Sequence, residues 1–408
     1  MSIDFPYKTV RDIDVRGKRV LERVDYNVPL NDDGTIADDF RISASLPTIK
    51  YLLDQGASIV LMAHLGRPKS PEDKRFSLDK VAVRLSELLD RPVKFVHDCI
   101  GDEVKSATAD TKPGDIVMLE NLRYHPEEKK NDANFAHQIV TDTGAEVFVQ
   151  DGFGVVHRAH ASTEAVTHYL PSVAGLLLEK EYVSLKTATD APNRPLTTII
   201  GGAKISDKMP LVKRFLDIAD NVVIGGALAC NFMKYAGHDV GNSLVEDDVD
   251  GLIKEILDAA KAKFGDDINE HLILPVDVAV SPSGSLEDER VEKKITDIHA
   301  PETIYDAGEQ TIRRIEKVVD RSGTVIWNGT LGMAEKRNYS RGSARLALAL
   351  AKNPRIVSVI GGGDTADFVR NWDALHGGSF THVSTGGGAS LELMSGMTLP
   401  GIAALQRK

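Results

Sequence analysis

Short apolar runs rich in Val and Ile recur along the whole of this chain, and most give way to glycine or polar residues and then to a stretch with apolar side chains at helical spacing. Runs without polar alternation are strands covered on both faces, and strands that alternate with helices join a parallel sheet through crossovers. The clearest are SIVLMAHLGR (58–67), DIVMLENLRYH (115–125), EVFVQDGFG (146–154), TTIIGGAK (197–204), NVVIGGALA (221–229), HLILPVDVAV (271–280), GTVIWNG (323–329) and VSVIGGGDT (357–365). Helical patterns such as PTIKYLLDQG (47–56) and DGLIKEILDAAKAKFG (250–265) lie between them. The fold class this implies is α/β, built from doubly wound, Rossmann-like parallel sheets.

One core does not extend comfortably over 408 residues, so two large domains are expected. The division falls after LLLEKEYVSLKTATDA (176–191), which reads as a helix that Pro192 and Pro195 bring to an end. The expected organisation is a first domain over 1–182, a linker over 183–194, a second domain over 195–394 and a terminal stretch over 395–408.

Asp and Glu outnumber Lys and Arg by 60 to 49, a formal charge of −11, so the surface on average repels nucleic acid and anionic lipid. Neither is expected as a partner. Cys99 and Cys230 lie far apart and outside any C-x-x-C spacing, which points to buried thiols rather than a disulfide framework or a zinc site. His157 and His160 lack a further ligand at zinc-like spacing. The first residues, MSIDFPYKTVRDIDVRGK, scatter their charges and hold no apolar run, unlike a secretory signal, and no segment reaches 18 consecutive apolar residues. A cytoplasmic location is expected.

In an open parallel sheet, ligands bind beyond the carboxyl ends of the strands. In the first half those tips carry Arg23, Asp25 and Asn27, then His64 and Arg67, Arg123, and Arg158, with Arg41 as a further candidate. One arginine is as readily a surface ion-pair residue as a ligand; repeated at successive tips, its planar fork of donors suits a small, multiply charged carboxylate or phosphate. In the second half the tips are glycine-rich: Gly201–Gly202, Gly225–Gly226, Gly329, Gly361–Gly363 and Gly386–Gly388. Glycine between strand and helix lets the backbone approach phosphate oxygens, and the helix start favours the anion. Lys204 and Lys208 flank Ser206 and Asp207, which are candidate caps for a helix with Pro210 in its first turn, so both ammonium groups can sit beside phosphates. Asp364 is suited either to an N-cap or to a Mg²⁺ ligand.

A nicotinamide-dependent dehydrogenase is the main rival, because Gly361, Gly363 and Ala366 satisfy G-x-G-x-x-G/A. The acidic residue that should follow at the next strand tip is missing from FTHVSTGGGAS. No G-x-x-x-x-G-K-[ST] is present for a P-loop kinase, and the arginines of the first half speak against a non-catalytic nucleotide-binding module.

The runs VDYNVPL, DDFRISASLPTI, AHLGRP, LENLRYH, HRAHAS, GGAKISDK, IWNG, GGGDT and HVSTGGGASLE, in this order over nearly the whole chain, resemble the signature segments of the phosphoglycerate kinase family. The resemblance implies two doubly wound domains joined by a hinge helix, a C-terminal tail that packs on the first domain, and a monomer. It implies reversible, Mg²⁺-dependent transfer of a phosphoryl group between 1,3-bisphosphoglycerate with ADP and 3-phosphoglycerate with ATP, in glycolysis and gluconeogenesis. Asp25, Asn27, Arg41, His64, Arg67, Arg123 and Arg158 match the family's acceptor-binding positions. Gly202, Ala203, Lys208, Gly226, Asn328, Glu335, Gly361, Gly362, Gly363, Asp364 and Thr365 match nucleotide positions, with Glu335 on the ribose and Asp364 on Mg²⁺. Catalytic roles are implied for Arg41, Lys204, Lys208, Gly363 and Gly387. Departures from the family pattern are Glu22 in place of an apolar residue, Gly152, Val155–Val156, and Thr330 and Ala334 near the expected base pocket.

The acceptor carboxylate of such a reaction is ionised at neutral pH and needs no general base. What is expected of the protein is in-line positioning, neutralisation of the moving charge by Arg41 and Lys204, and closure about 179–195 to exclude water.

Overall fold

The computed structural model describes residues 3–70 and 72–408. The chain forms two compact units, one of Asp4–Val183 with Thr398–Lys408 and the other of Ser184–Met397 with Ile3. The division falls inside one helix, Leu176–Asp190, which ends just before Pro192.

In the first unit the strands β1 (Arg19–Arg23), β2 (Ser58–Met62), β3 (Lys94–Phe95), β4 (Ile116–Met118), β5 (Val147–Gln150) and β6 (Ser172–Ala174) form a parallel sheet in the order β3-β4-β2-β1-β5-β6. One face buries Val20, Val24, Ile59 and Leu61 against helices Phe40–Asp54 and Asp79–Leu89. The other buries Leu21, Val60, Met62 and Phe148 against helices Asp102–Ala109 and Ala133–Thr143. Burial on both faces is why these runs are continuously apolar. Residues 398–408 belong to this unit: Gly401 donates its N–H to Val156 O (2.9 Å) and Gln406 N to Ser172 O (3.0 Å), while Gln406 O accepts from Lys8 N (2.7 Å).

The second unit repeats the plan. Strands β7 (Leu196–Ile200), β8 (Asn221–Ile224), β9 (Leu272–Ile273), β10 (Asp277–Ser281), β11 (Val291–Lys294), β12 (Thr303–Ala307), β13 (Thr324–Asn328), β14 (Val357–Gly361) and β15 (His382–Val383) divide into a parallel sheet, β15-β14-β13-β7-β8-β9, and a small antiparallel sheet, β11-β10-β12. The chain order reverses between β7 and β13, as it does between β1 and β5 in the first unit. Such a reversal leaves a crevice beyond the strand ends.

Two elements differ from expectation. HLILPVDVAV is not one strand: Pro275 has no N–H to donate, and the chain leaves the parallel sheet after Ile273 and enters the antiparallel one at Asp277. The helix expected from PTIKYLLDQG begins earlier, at Phe40, and carries Pro47 in its interior, which puts Arg41 in its first turn.

Glu22, the departure in β1, is fully buried with Val20 and Val24 on the face packed by Phe40–Asp54, and both its carboxyl oxygens lack a hydrogen-bond partner among the described residues. Burial first, and the Asp151 carboxyl beside it, hold its pKa well above the usual range. Asp151 is itself pushed up to about 7 by burial, against the lowering effect of hydrogen bonds from Thr48, Leu178 and Leu177. Its Oδ1 accepts from Leu177 N (3.0 Å) and Leu178 N (3.2 Å) at the start of helix Leu176–Asp190, and the missing side chain of Gly175 makes room, since a Cβ there would stand 2.1 Å from Oδ1. Two facing buried carboxyls cannot both ionise without penalty.

The folded state therefore keeps protons that the unfolded chain releases near the ordinary carboxyl values, so this stabilisation is complete below those values and is lost as pH rises toward and past 7. Glu22→Leu is expected to stabilise the first unit by about 1–4 kcal/mol at pH 8 and by less at pH 5. Denaturant unfolding across that range measures it, and an equal gain at both ends would show that the pair has no proton linkage.

Candidate active site

Strand order alone gathers the expected acceptor residues. Asp25 and Asn27 follow β1, His64 and Arg67 follow β2, Arg123 sits on a 3₁₀ turn after β4, and Arg158 follows β5; these four strands are consecutive neighbours and parallel, so their carboxyl ends share one edge. Arg41 joins them from the first turn of Phe40–Asp54, where its Nη1 donates to Asp25 Oδ2 (3.0 Å) and Asn27 O (3.2 Å). Asn27 Oδ1 accepts from Gly66 N (2.8 Å), and Arg123 Nη1 donates to Gly66 O (2.5 Å), which ties three tips together.

The charge is concentrated there. Burial lowers Arg123 to about 10, and Arg158 is the next largest contributor, ahead of Arg23. The guanidinium groups of Arg67 and Arg158 make no hydrogen bond or ion pair among the described residues. Both are cations with donors to spare.

Arg23, the last residue of β1, is 1% exposed. Its Nε donates to Ser162 Oγ (2.8 Å), whose hydroxyl donates to the buried Glu128 (2.6 Å), and its Nη2 lies 3.0 Å from His64 Nδ1. An arginine can only donate, so His64 Nδ1 accepts and the ring proton resides on Nε2. That Nε2 is buried without a partner among the described residues. Burial first, then Arg23, Arg123, Arg158 and Arg41, hold the His64 pKa well below its ordinary value. His64 is therefore a neutral donor. His157 is likewise lowered, to about 4, by burial and then Arg158, and its Nδ1 is unpartnered among the described residues.

Asp98, Cys99 and His125 place potential metal-ligand atoms within 4.8 Å of one another on this side of the sheet. All three are engaged internally: His125 Nε2 bonds Asp98 Oδ1 (2.7 Å), Cys99 N donates to the same oxygen (2.6 Å), and the thiol donates to Glu120 O (2.9 Å).

The glycine-rich tips of the second unit also meet at one edge, on β8, β7, β13, β14 and β15. At the reversal between β7 and β13, a Cβ on Gly201 would stand 2.1 Å from Thr330 O and one on Gly329 2.1 Å from Gly201 O, so only glycine permits this approach of the two backbones. Trp327 Nε1 donates to Gly329 O (2.7 Å), and Thr365 Oγ1 accepts from Gly329 N (2.8 Å). Helices Met209–Ile218, Gly226–Tyr235 and Gly363–Trp372 start from this edge with no side-chain cap on their N–H groups. Open helix starts of this kind accept anions.

Asp364 is therefore not an N-cap: Gly362 holds that position, and the exposed Asp364 carboxylate makes no ion pair among the described residues. Lys208 Nζ donates to Asn328 Oδ1, while Asn328 Nδ2 is buried without a partner among the described residues. Burial lowers Lys208 to about 8, against the raising effect of Asp364 and Asp207.

A cavity of about 1100 Å³ opens beside these groups, and its walls include Gly202, Ala203, Gly226, Glu335 and Asp364 together with Thr330 and Ala334. Lys204, Lys208, Asn328, Gly361–Gly363, Thr365 and Gly387 belong to the same edge but are not part of its wall.

Ser206 and Asp207 do not cap Met209–Ile218; Lys208 is the residue before the helix, with Pro210 in its first turn. Ser206 donates its hydroxyl to Glu246 instead, and the same carboxylate accepts from Ile205 N (2.8 Å) and Ser206 N (3.2 Å). Glu246 and the roles of Arg23 and Gly66 were not visible in the sequence, since each acts through a contact between distant segments.

The family model described as "Phosphoglycerate kinase" matches residues 10–397. The phosphoglycerate kinase of Coprothermobacter proteolyticus is 45% identical over 399 residues, covering 98% of each chain. That of Pelotomaculum thermopropionicum is 46% identical over 401 residues, covering 98% of this chain and 99% of its own. Among solved structures, phosphoglycerate kinase from Coxiella burnetii superposes with a TM-score of 0.84 at 34% identity, and that from Pyrococcus horikoshii with 0.81 at 31%, each over 98% of both chains.

The arginine field around His64 leads to a direct expectation. Nitrogen-correlated NMR of the ring should find His64 neutral, with its proton on Nε2, from pH 5 to pH 8. A doubly protonated ring at pH 6 would mean that the surrounding guanidinium charge does not reach it.

Proposed function

The chain belongs to the phosphoglycerate kinase family, and from that premise we propose how its two charge-bearing sheet edges divide the reaction. The protein is a phosphotransferase with a carboxyl group as acceptor, moving a phosphoryl group reversibly between 1,3-bisphosphoglycerate with ADP and 3-phosphoglycerate with ATP. The observation that carries the division is the contrast between free guanidinium groups beside a neutral histidine in one unit and uncapped helix starts beside an apolar cavity in the other.

The first unit holds the acceptor. Arg67 and Arg158, together with Arg123 and the Nε2–H of His64, offer donors for the phosphate of 3-phosphoglycerate, and Arg41 faces its carboxylate. Asp25 keeps Arg41 in place, and Asn27 holds the Gly66 turn against Arg123. Because the carboxylate is already ionised, none of these groups need take a proton. Their work is orientation and charge neutralisation.

The second unit holds the nucleotide. The cavity takes the base, Glu335 accepts from the ribose, and the glycine tips with Lys208, Asn328 and Thr365 receive the phosphates. Lys204, Gly363 and Gly387 act on the transferring group. The exposed Asp364 carboxylate, a hard oxygen donor whose charge is felt by Lys208, fits Mg²⁺. Bound there with phosphate oxygens and water, the ion would supply further neutralisation of the phosphoryl charge. In-line transfer requires acceptor and donor to come into contact away from water, and movement about 179–195 is assigned that part. The enzyme works as a cytoplasmic monomer on small molecules, without nucleic acid or membrane. No helix among the described residues is long and apolar enough to cross a bilayer.

Arg41→Ala should lower turnover by about ten- to a hundredfold, the loss of a charge-assisted bond of roughly 1.5–3 kcal/mol that strengthens in the transition state, while ADP binding stays nearly intact. A coupled assay with near-normal turnover would remove Arg41 from the chemistry. The base pocket, altered at Thr330 and Ala334, makes the same assay with GTP informative.

Lys208 gives a pH signature. Its value of about 8 in the free protein must rise when phosphate charge arrives, so above pH 8 ADP binding takes up a proton and weakens with further increase in pH. Calorimetry in buffers of different ionisation heat measures the uptake. Lys208→Ala should bind MgADP more weakly and show none of it; unchanged affinity would refute the assignment.

A further inference from the structure

We propose that Glu246 is a positioning residue for phosphoryl transfer, acting through Lys204 by fixing the backbone between the two lysines. The inference rests on the assignment of Lys204 to the transferring group.

The stretch Gly201–Lys208 leaves β7 through two glycines, and Lys204 at its exposed middle makes no hydrogen bond or ion pair among the described residues. Nothing on its own side chain holds that ammonium group over a phosphate. Its position is set by the backbone that follows, and there the nearby cap candidates Ser206 and Asp207 leave the helix start uncapped. Glu246, some forty residues on, supplies the restraint: one carboxylate oxygen takes the N–H groups of Ile205 and Ser206, and the other takes the Ser206 hydroxyl. The donor from Ser206 and the two N–H groups also keep the carboxylate ionised.

Glu246 is itself anchored. Its N–H donates to Asn231 Oδ1 (2.8 Å), and Asn231 is 2% exposed on helix Gly226–Tyr235, the helix that starts at the tip of β8. That tip touches the same stretch from the other end, because Leu228 N donates to Gly202 O (2.9 Å) and a Cβ on Gly226 would stand 2.9 Å from Gly202 N. The loop bearing Lys204 is thus pinned at Gly202 and at Ile205–Ser206 to one rigid helix. A negative group close to a phosphate site costs electrostatic energy, and a cap alone is as well served by a neutral Ser or Asn. What the carboxylate adds is attraction for Lys204, which is among the charges that stabilise it, and a second acceptor oxygen that takes the Ser206 hydroxyl while the first holds the consecutive N–H groups of Ile205 and Ser206.

The test is a double-mutant cycle in the coupled assay, with MgADP affinity and thermal melting measured on each variant. Glu246→Ala should lower kcat by about ten- to a hundredfold with KM for 3-phosphoglycerate unchanged. Glu246→Asp, which keeps the charge on a shorter arm, should recover part of the loss. Glu246→Ala combined with Lys204→Ala should be no slower than Lys204→Ala alone. Should Glu246→Ala prove too unstable to assay, Ser206→Ala removes one of the three bonds and should show a smaller loss that also vanishes in the Lys204→Ala background. Losses that multiply, or a normal kcat in Glu246→Ala, would overturn the inference while leaving Lys204 in place. A near-normal Lys204→Ala would remove both Lys204 and the positioning role built on it.

Discussion

Like charges have to be held together before any ligand arrives, and the first unit is organised around that necessity. Arg23, Arg41, Arg123 and Arg158 all act on the His64 ring, and Arg123 feels Arg158, Arg23 and Arg67. Such a cluster repels itself, and flexible side chains would spread apart. Here the cost is offset by carboxylates bonded to two of the cations: Asp25 bonds Arg41, and Glu128, fully buried, reaches Arg23 through Ser162. Arg67 and Arg158 keep unmatched donors among the described residues because the compensation is taken up by Arg41 and Arg23. Keeping His64 neutral is part of the same arrangement, since it gives a donor without a further charge.

The second unit achieves anion affinity by almost opposite means. Its contribution comes from open backbone N–H groups at helix starts, brought to one edge by parallel strands and packed so closely at Gly201 and Gly329 that side chains are excluded. Partial charges of helix ends are weaker than guanidinium groups but do not have to be ordered on binding. A ligand exchanged in every turnover as part of a larger molecule is well served by such a preformed surface. A small, highly charged acceptor is better served by arginine forks.

Much of this was readable in the chain. Continuous apolar runs separated by helical patterns locate β2, β4, β5, β7, β8, β9, β13 and β14 of the parallel sheets, because burial on two faces leaves a local signature. Arginine and glycine at the tips are legible for the same reason, since strand ends and the residues after them are fixed together. What sequence did not reveal depends on distant segments. Pro275 divides one apolar run between two sheets; Pro47 is tolerated inside a helix; and Ser206 turns from its own helix to Glu246. Glu22 stood out as a departure, yet its pairing with Asp151 follows only from the register of β1 beside β5.

The return of residues 398–408 to the first unit bears on how the molecule is made. Gln406 bridges Lys8 and Ser172, and Gly401 bonds Val156, so residues 398–408 complete hydrogen bonds with segments synthesised hundreds of residues earlier. On the ribosome, domains ordinarily fold in order of emergence. Here the first unit is completed after the second: its sheet can form early, but residues 398–408, which bond its edge, are synthesised only after 184–397. The second unit, 184–397, has all its own residues available sooner. A nascent chain therefore passes through a stage in which the nucleotide half is whole and the acceptor half is still waiting for its final stitch.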